Sequence, residues 1–298
     1  MNLKTSSLLS AILAATAVPC FAAVTLPFSE DFDAATVTND VAGTTANTTD
    51  FTYTTQAAQG GWTVDGTTGG ELQLRVNGGR DASLGGGSTY VGSAAVTVDD
   101  PIDIGFTMTT DLVFPTDGLF SSSAGDVYLA VGATDLNRNF FIGNEGLDTA
   151  GYAIGITQDS FGNFGDAEAT LRLLVNGVEV DTLLINAPGT EVGDSAIGDF
   201  IGASLQLTLA GTPDGLGGLD LVGTLADLDA GTSIQVSANV AAADLATGDQ
   251  AGLRIAVTSN NDYGFNADNI ELTLIPEPGA AALTILGGMA ALTARRNK

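Results

Sequence analysis

Residues 171–184 read Leu-Arg-Leu-Leu-Val-Asn-Gly-Val-Glu-Val-Asp-Thr-Leu-Leu, so two largely alternating segments flank the dipeptide Asn176-Gly177. Apolar and polar side chains that alternate with a period of two are typical of a strand with one buried face. Asn-Gly is a preferred pair for a type I′ turn, because both central residues of that turn need a positive φ. The stretch therefore predicts an antiparallel β-hairpin.

The same alternation recurs along most of the chain between residues 72 and 274. It is seen in Leu72/Leu74/Val76, Ile104/Phe106/Met108, Val127/Leu129/Val131, Leu205/Leu207/Leu209, Ile234/Val236, Leu253/Ile255/Val257 and Ile270/Leu272/Leu274. Turn-forming clusters such as 212–215 (Thr-Pro-Asp-Gly) separate these segments, and no long stretch has the periodicity of a helix. Many short strands with regular turns predict an all-β fold, an antiparallel β-sandwich of the jelly-roll kind.

The composition excludes several classes of protein. The chain has 298 residues, with 35 acids, nine bases and no histidine, and its formal charge is −26. Without an imidazole it cannot build a Ser-His-Asp or Cys-His nucleophile or a histidine-ligated metal centre. Its acidity excludes nucleic acid as a partner, because phosphate binding depends on clustered lysine and arginine. A hydrophobic content of 44% is enough to form a core.

The N-terminus has the organisation of a secretory signal peptide. Lys4 precedes an apolar run over 8–18, and small residues follow at the end of the segment. This order predicts a signal helix over 1–22, export by the Sec machinery, and cleavage between Ala22 and Ala23. Cleavage would remove Cys20, the only cysteine, so the exported chain would contain no disulfide.

The C-terminus has three parts in a fixed order. Pro276, Glu277 and Pro278 come first, an apolar run over 279–294 follows, and Arg295 and Arg296 begin a basic end. A helix over that run would be about 24 Å long, against about 30 Å for the hydrocarbon core, which suits a marginal or transient membrane span. The basic end would stay on the cytoplasmic side and leave the rest of the chain outside.

This C-terminal arrangement closely resembles the PEP-CTERM sorting signal of Gram-negative bacteria. The resemblance implies handling by the membrane protease-transpeptidase exosortase and a location at the cell envelope, cell surface or extracellular matrix. It also places the chain in bacteria that build exopolysaccharide or a biofilm matrix. We therefore divide the chain into a signal peptide (1–22), a β-sandwich domain (23–275) and a sorting signal (276–298), with membrane contact only through the C-terminal hydrophobic helix.

The domain between the signals resembles concanavalin-like and laminin-G-like jelly rolls. The resemblance rests on the hairpin over 171–184, the opening 28–33 (Phe-Ser-Glu-Asp-Phe-Asp) and the closing 265–272 (Phe-Asn-Ala-Asp-Asn-Ile-Glu-Leu). A galactose-binding-type jelly roll shares the same two end motifs. The resemblance implies that the first and last strands pair, and that a structural Ca²⁺ links them. Glu30, Asp31 and Asp268 are the candidate calcium ligands.

The residues alone suggest two further kinds of site. Trp62, the only tryptophan, is a candidate platform for a sugar ring, with burial in the core as the alternative. Glycoside hydrolysis needs two carboxyl groups about 5 to 9 Å apart, and the many acids leave that chemistry open. The Glu-x-Asp-x-x-Glu motif of jelly-roll glucanases is missing, so no catalytic residue is assigned.

The preferred interpretation is a non-catalytic surface or matrix protein that associates with extracellular polysaccharide. The alternatives are a carbohydrate-active enzyme, a glycoside hydrolase or lyase with a carboxylate site of unknown position, and a purely structural envelope protein.

Overall fold

The computed structural model describes residues 25–33, 52–55, 60–65, 71–76, 89–99, 102, 105–113, 124–134, 136, 151–158, 169–186, 203–258 and 263–275. Regular structure in these residues consists of strands and short 3₁₀ segments, among them Ala242–Asp244. The cleavage site at Ala22 and Ala23, the sorting motif and both terminal helices lie outside the described ranges and stay predictions. No helix in the described part of the chain is long and apolar enough to cross a membrane.

The strands form two sheets. The eight-stranded sheet contains β1 (Phe28–Glu30), β3 (Gly60–Asp65), β4 (Glu71–Val76), β6 (Phe106–Val113), β11 (Ser204–Pro213), β12 (Leu219–Asp227), β13 (Thr232–Val240) and β15 (Tyr263–Leu274). The seven-stranded sheet contains β2 (Thr52–Thr55), β5 (Thr89–Thr97), β7 (Ala124–Ala133), β8 (Tyr152–Gln158), β9 (Ala169–Val175), β10 (Val178–Asn186) and β14 (Gln250–Thr258).

The order of strands follows from long-range antiparallel pairing. It is β13-β12-β11-β6-β15-β4-β3 in the eight-stranded sheet, with β1 paired to β15 beside this path, and β10-β9-β8-β7-β14-β5-β2 in the other sheet. The predicted all-β antiparallel sandwich is confirmed. The hairpin of β9 and β10 has the predicted turn, since φ is 47° at Asn176 and 82° at Gly177.

The core lies between the two sheets and is built by alternate residues of each strand. In β11, Leu205, Leu207 and Leu209 are fully buried, whereas Gln206 and Thr208 are partly exposed on the outer face. Buried side chains of the other sheet belong to the same cluster, among them Leu129, Ile154, Leu171, Leu173 and Leu253. The residues of β11 that alternate with these leucines therefore lie on the outer face of the eight-stranded sheet.

The last strand, β15, joins the two ends of the domain. Phe28 pairs with Leu272 and Glu30 with Ile270, so the expectation that the first and last strands pair is confirmed. β15 pairs with β6 along one edge; along its other edge it pairs first with β4 and then with β1. Where this change of partner occurs, its register with β6 shifts by one residue between Asp268 and Glu271, which is a β-bulge.

Candidate functional site

The bulge in β15 places carboxylates of two neighbouring strands side by side. Asp268 lies opposite Asp111 of β6, and both belong to the outer face because their neighbours Ala267 and Leu112 are buried in the core. Inside the sheet, the hydroxyl of the fully buried Thr110 donates to the Asp268 carbonyl at 3.1 Å. The hydroxyl thereby satisfies a backbone acceptor at the point where the regular ladder is interrupted.

Side-chain amides hold the carboxylates at this place. Gln206 Nε2 donates to Asp111 Oδ1 at 3.0 Å, and Asn266 Nδ2 donates to Glu71 Oε2 at 2.5 Å. Asn269, whose φ of 50° is left-handed, contributes Nδ2 to two carboxylates. That nitrogen is 2.9 Å from Asp111 Oδ2 and 3.2 Å from Asp268 Oδ2. The result is a set of acids interleaved with neutral amides on neighbouring strands of one sheet.

These groups border an open recess with a volume of about 280 Å³. We call it the acidic recess. It is lined by Glu71, Asp111, Leu112, Val113, Ser204, Leu205, Leu228, Asn266, Ala267 and Asp268. Leu228 is 50% exposed and contributes an apolar wall beside the carboxylates. The recess therefore combines strong hydrogen-bond acceptors, an amide and apolar surface.

Negative charge is concentrated around Asp268. Burial is the largest influence on its carboxyl and raises its pKa, while a hydrogen bond from the Asn269 N–H acts in the opposite direction. The charges of Asp111, Glu71 and Asp33 raise the pKa of Asp268 further. The ionised form of Asp268 is therefore disfavoured by its surroundings, which is common where a site serves binding or chemistry.

The predicted calcium ligands do not line one cavity. Glu30 and Asp31 border a second recess of about 210 Å³, together with Ser29, Asn269 and Glu271. Asp268 borders the acidic recess instead, and Asn269 lies beside both. Among the residues that the structure describes, no group of three or more acidic, histidine or cysteine side chains is arranged to hold a metal ion. The calcium site stays a prediction.

Trp62 lies in β3, with its backbone opposite that of Leu74. Its side chain is outside the part of the chain that can be described, so its role as a sugar platform also stays a prediction. Sequence reasoning missed Glu71, Asp111 and the three amides. The available signal was weak: Asp111 stood on the polar side of an alternating segment, and Asn266 and Asn269 belonged to the closing motif.

The outer face of the seven-stranded sheet differs from that of its partner. Its side chains form a second apolar cluster around Tyr128, Ala130, Ala153 and Leu174, all of which are buried. A hydrogen bond of 3.2 Å joins the Tyr128 hydroxyl to that of Thr157, which is also buried. Arg254 on the same face is 2% exposed. The acidic recess is the more accessible candidate site.

Replacing Asp268 tests the electrostatics of the recess. The folded state holds the Asp268 proton more tightly than the unfolded chain, so the ionised carboxylate destabilises the fold above its folded-state pKa. We expect Asp268→Asn to raise the free energy of unfolding at pH 7 by about 0.5 kcal/mol, a small value because partial exposure screens the charges. The gain should shrink as the pH falls through the folded-state pKa of Asp268, since the wild-type group then becomes neutral.

Urea unfolding of both proteins between neutral and acidic pH measures this difference. Asp220→Asn is the matched control, because Asp220 lies on the same outer face and accepts a hydrogen bond from Asn239 at 2.9 Å. A destabilised Asp268→Asn protein at pH 7, or an equal gain in the control, would contradict the assignment.

Thermal unfolding tests the calcium prediction. A ligand that binds only the folded state raises the midpoint, by an amount that grows with the logarithm of the ratio of its concentration to its dissociation constant. We expect the midpoint of the full-length chain to be higher with Ca²⁺ than with a chelator, and the difference to be lost in the double variant Glu30→Gln, Asp31→Asn. Superimposable curves for the wild type would show that calcium does not stabilise this fold.

Comparisons with known proteins give a likeness of fold and no family. No family model matches the chain, and no curated protein matches its sequence. Lectin II from Ulex europaeus is 15% identical, with 83% of this chain and 97% of the lectin covered at a TM-score of 0.49. A lectin from Bauhinia forficata in complex with GalNAc is 16% identical, with 83% of this chain and 99% of that lectin covered at a TM-score of 0.46.

The marine PL-14 alginate lyase from Aplysia kurodai is 8% identical, with 72% of this chain and 87% of the lyase covered at a TM-score of 0.40. These likenesses have TM-scores below 0.5 and identities below 25%, so they assign no activity and no site to this chain.

Proposed function

We propose that this chain is a non-catalytic saccharide-binding protein of the bacterial cell surface, and that the acidic recess is its binding site. The observation that carries the proposal is the amide–carboxylate network around Asp111 and Asp268, which borders an open recess on the outer face of the eight-stranded sheet. Sites built on strands hold side chains more accurately than sites built on loops.

The chemistry of the recess suits a sugar. Each sugar hydroxyl can donate to a carboxylate oxygen, and hydrogen bonds to charged acceptors are worth about 1.5–3 kcal/mol. The Asn266 amide offers both a donor and an acceptor, so it can complement a hydroxyl in either orientation. Leu228 supplies apolar surface for the C–H groups of a sugar ring. Few polar groups on a partly apolar wall are typical of small-molecule sites.

Charge favours a neutral saccharide. Three carboxylates, Glu71, Asp111 and Asp268, border the recess, and the whole chain carries −26. A uronate or sulfate group would be repelled unless cations screened or bridged the charges. Neutral hexoses and their polymers carry no such penalty, so we infer that they are the ligand class.

Glycoside hydrolysis is the second candidate, because one observation favours it. Asp111 Oδ2 and Asp268 Oδ2 both contact Asn269 Nδ2, at 2.9 and 3.2 Å, so they are separated by no more than these two distances together. Retaining glycosidases place their two carboxyls about 5–5.5 Å apart and raise the pKa of one of them. Here burial raises the pKa of Asp268. Binding remains the preferred function, because Asn269 Nδ2 lies between the two carboxylates and donates a hydrogen bond to each. Both carboxylates therefore act as hydrogen-bond acceptors.

Export and sorting form the other part of the proposal. The order of Lys4, the apolar run over 8–18 and Ala22 supports Sec export. Pro276, Glu277 and Pro278, the apolar run over 279–294 and the basic end support recognition by exosortase. We propose that the domain is presented outside a Gram-negative cell, where extracellular polysaccharide is its partner.

A glycan array probed with the full-length chain in a mild detergent tests the binding site. We expect binding to neutral glycans, and we expect Asp111→Asn to weaken it about tenfold or more, because a charged acceptor is lost. Asp220→Asn is the matched control; it changes an acid on the same outer face, at the pair with Asn239, and should leave affinity unchanged.

Reducing-sugar release from the bound glycans separates the candidates. Release by the wild type that is lost in Asp268→Asn would replace binding by hydrolysis as the function. If the chain binds no glycan, a purely structural role in the envelope is the remaining interpretation. Equal losses in Asp111→Asn and Asp220→Asn would place the binding site elsewhere.

Intact mass of the protein recovered from the native cell surface tests the sorting proposal. We expect a mass that lacks residues 1–22 and the tail after Pro278, with any excess equal to the attached group. The variant Glu277→Gln should keep the tail, since the motif is altered. A surface protein that retains residues 279–298 would contradict processing.

A further inference from the structure

Asn176 lies in the turn between β9 and β10, and its hydrogen bonds hold three parts of the chain together. Its Oδ1 accepts from the Gly151 N–H at 2.9 Å, and its Nδ2 donates to the Asp244 carbonyl at 2.6 Å. Its backbone N–H donates to the Gly151 carbonyl at 2.7 Å. We call these three bonds the Asn176 clip. The clip joins the turn to the residue before β8 and to the 3₁₀ helix after β13.

The segment 241–249 connects β13 of one sheet to β14 of the other, and a second side chain holds it. The Tyr152 hydroxyl accepts a hydrogen bond from the Ala246 N–H at 2.8 Å. Tyr152 is fully buried, and its ring stacks on that of Phe106 with the centroids 5.8 Å apart. The connection between the sheets is therefore fixed by Tyr152 and by the Asn176 clip.

The clip is built on a chemically labile dipeptide. In Asn176-Gly177, glycine has no side chain to hinder its backbone nitrogen, and asparagine is a thermolabile residue. After hydroxide removes its proton, the Gly177 nitrogen can attack Asn176 Cγ. The N–Cγ bond forms, the Cγ–Nδ2 bond breaks, and Nδ2 leaves as ammonia with a proton from water. Water then opens the cyclic imide at either carbonyl and gives aspartate or isoaspartate.

The folded structure opposes this reaction. Oδ1 and the backbone N–H of Asn176 both bond to Gly151, so the amide lies on the side of its own N–H, away from the attacking nitrogen. The leaving atom, Nδ2, is bonded to the Asp244 carbonyl. Gly177 is buried, which hinders the access of hydroxide to its N–H. The reaction therefore requires local opening of the clip.

We propose that Asn176 is a deamidation site that the clip protects, and that deamidation releases the segment 241–249 irreversibly. An aspartate at this position still accepts from Gly151, but its ionised carboxylate has no hydrogen to donate to the Asp244 carbonyl. An isoaspartate also adds a methylene to the backbone of a two-residue turn, which disturbs the register of β9 with β10. Neither product can close the clip again.

Peptide mapping of the full-length chain after incubation at mildly alkaline pH, folded and in urea, tests the protection. We expect deamidation at Asn176 to be at least about tenfold slower in the folded protein, because the clip must open first. Asn77-Gly78, the other Asn-Gly pair of the sequence, should react in urea at a rate similar to that of Asn176. Equal rates at Asn176 in the folded and urea-treated protein would overturn the protection.

Tyr152→Phe distinguishes local opening from global unfolding. The variant lacks the hydroxyl that accepts the Ala246 N–H, so we expect folded-state deamidation at Asn176 to become about threefold faster or more. Tyr128→Phe is the matched control, because it removes a buried hydroxyl that bonds to Thr157 instead; it should leave the rate unchanged. Equal acceleration in both variants would contradict local opening. Absence of product in the folded wild type and in folded Tyr152→Phe would overturn the site.

Hydrogen exchange of Asn176→Asp at neutral pH tests the release. This variant carries the side chain of one product, and we expect the Asp244 and Ala246 amides to exchange at least about tenfold faster than in the wild type. Gln235→Glu is the matched control; it makes the same amide-to-acid change where Nε2 donates to the Thr224 hydroxyl, and should leave both amides unchanged.

Unchanged exchange in Asn176→Asp, or an equal increase in Gln235→Glu, would show that loss of the amide does not release the segment. None of these measurements involves a saccharide, so this inference and the proposed function can fail separately.

Discussion

The bulge in β15 is the constraint on which the architecture depends. From Asn266 to Leu274, β15 stays beside β6 while its other neighbour changes from β4 to β1. One extra residue accommodates that change, and Asn269 adopts a left-handed conformation there. The same irregularity closes the sheet with the first strand and turns Asp268 and Asn269 toward the outer surface. A structural requirement of the fold thus creates the recess. Bulges next to functional sites are common for this reason.

The arrangement of carboxylates around the recess is electrostatically unfavourable. Asp268 is brought near Asp111, Glu71 and Asp33, so its surroundings oppose ionisation. The amides of Gln206, Asn266 and Asn269 offset part of this cost by donating to Asp111, Glu71 and Asp268. Proteins commonly retain unfavourable groups where function needs them. A purely structural surface would be more stable with fewer acids at this point, which favours a binding role.

The sequence allowed the fold to be predicted far better than the site. Alternation such as Leu205/Leu207/Leu209 and the Asn176-Gly177 turn depend on neighbouring residues, and both were interpreted correctly. The site depends on register between distant strands: Asn269 and Asp111 are 158 positions apart, yet their side chains are in contact. No local pattern encodes that pairing. The resemblance of the end motifs correctly joined β1 to β15 but could not show that Glu30 and Asp268 border different recesses.

The two outer faces of the sandwich offer different surfaces to a ligand. The acidic recess is open on the eight-stranded sheet, whereas Tyr128 and Arg254 are buried on the seven-stranded sheet. A crystal structure of the chain with a bound neutral saccharide would show directly whether the acidic recess binds sugar. We expect the sugar in the acidic recess, with its hydroxyls hydrogen-bonded to Asp111 and Asp268. A sugar bound on the outer face of the seven-stranded sheet, beside Tyr128 and Arg254, would contradict it.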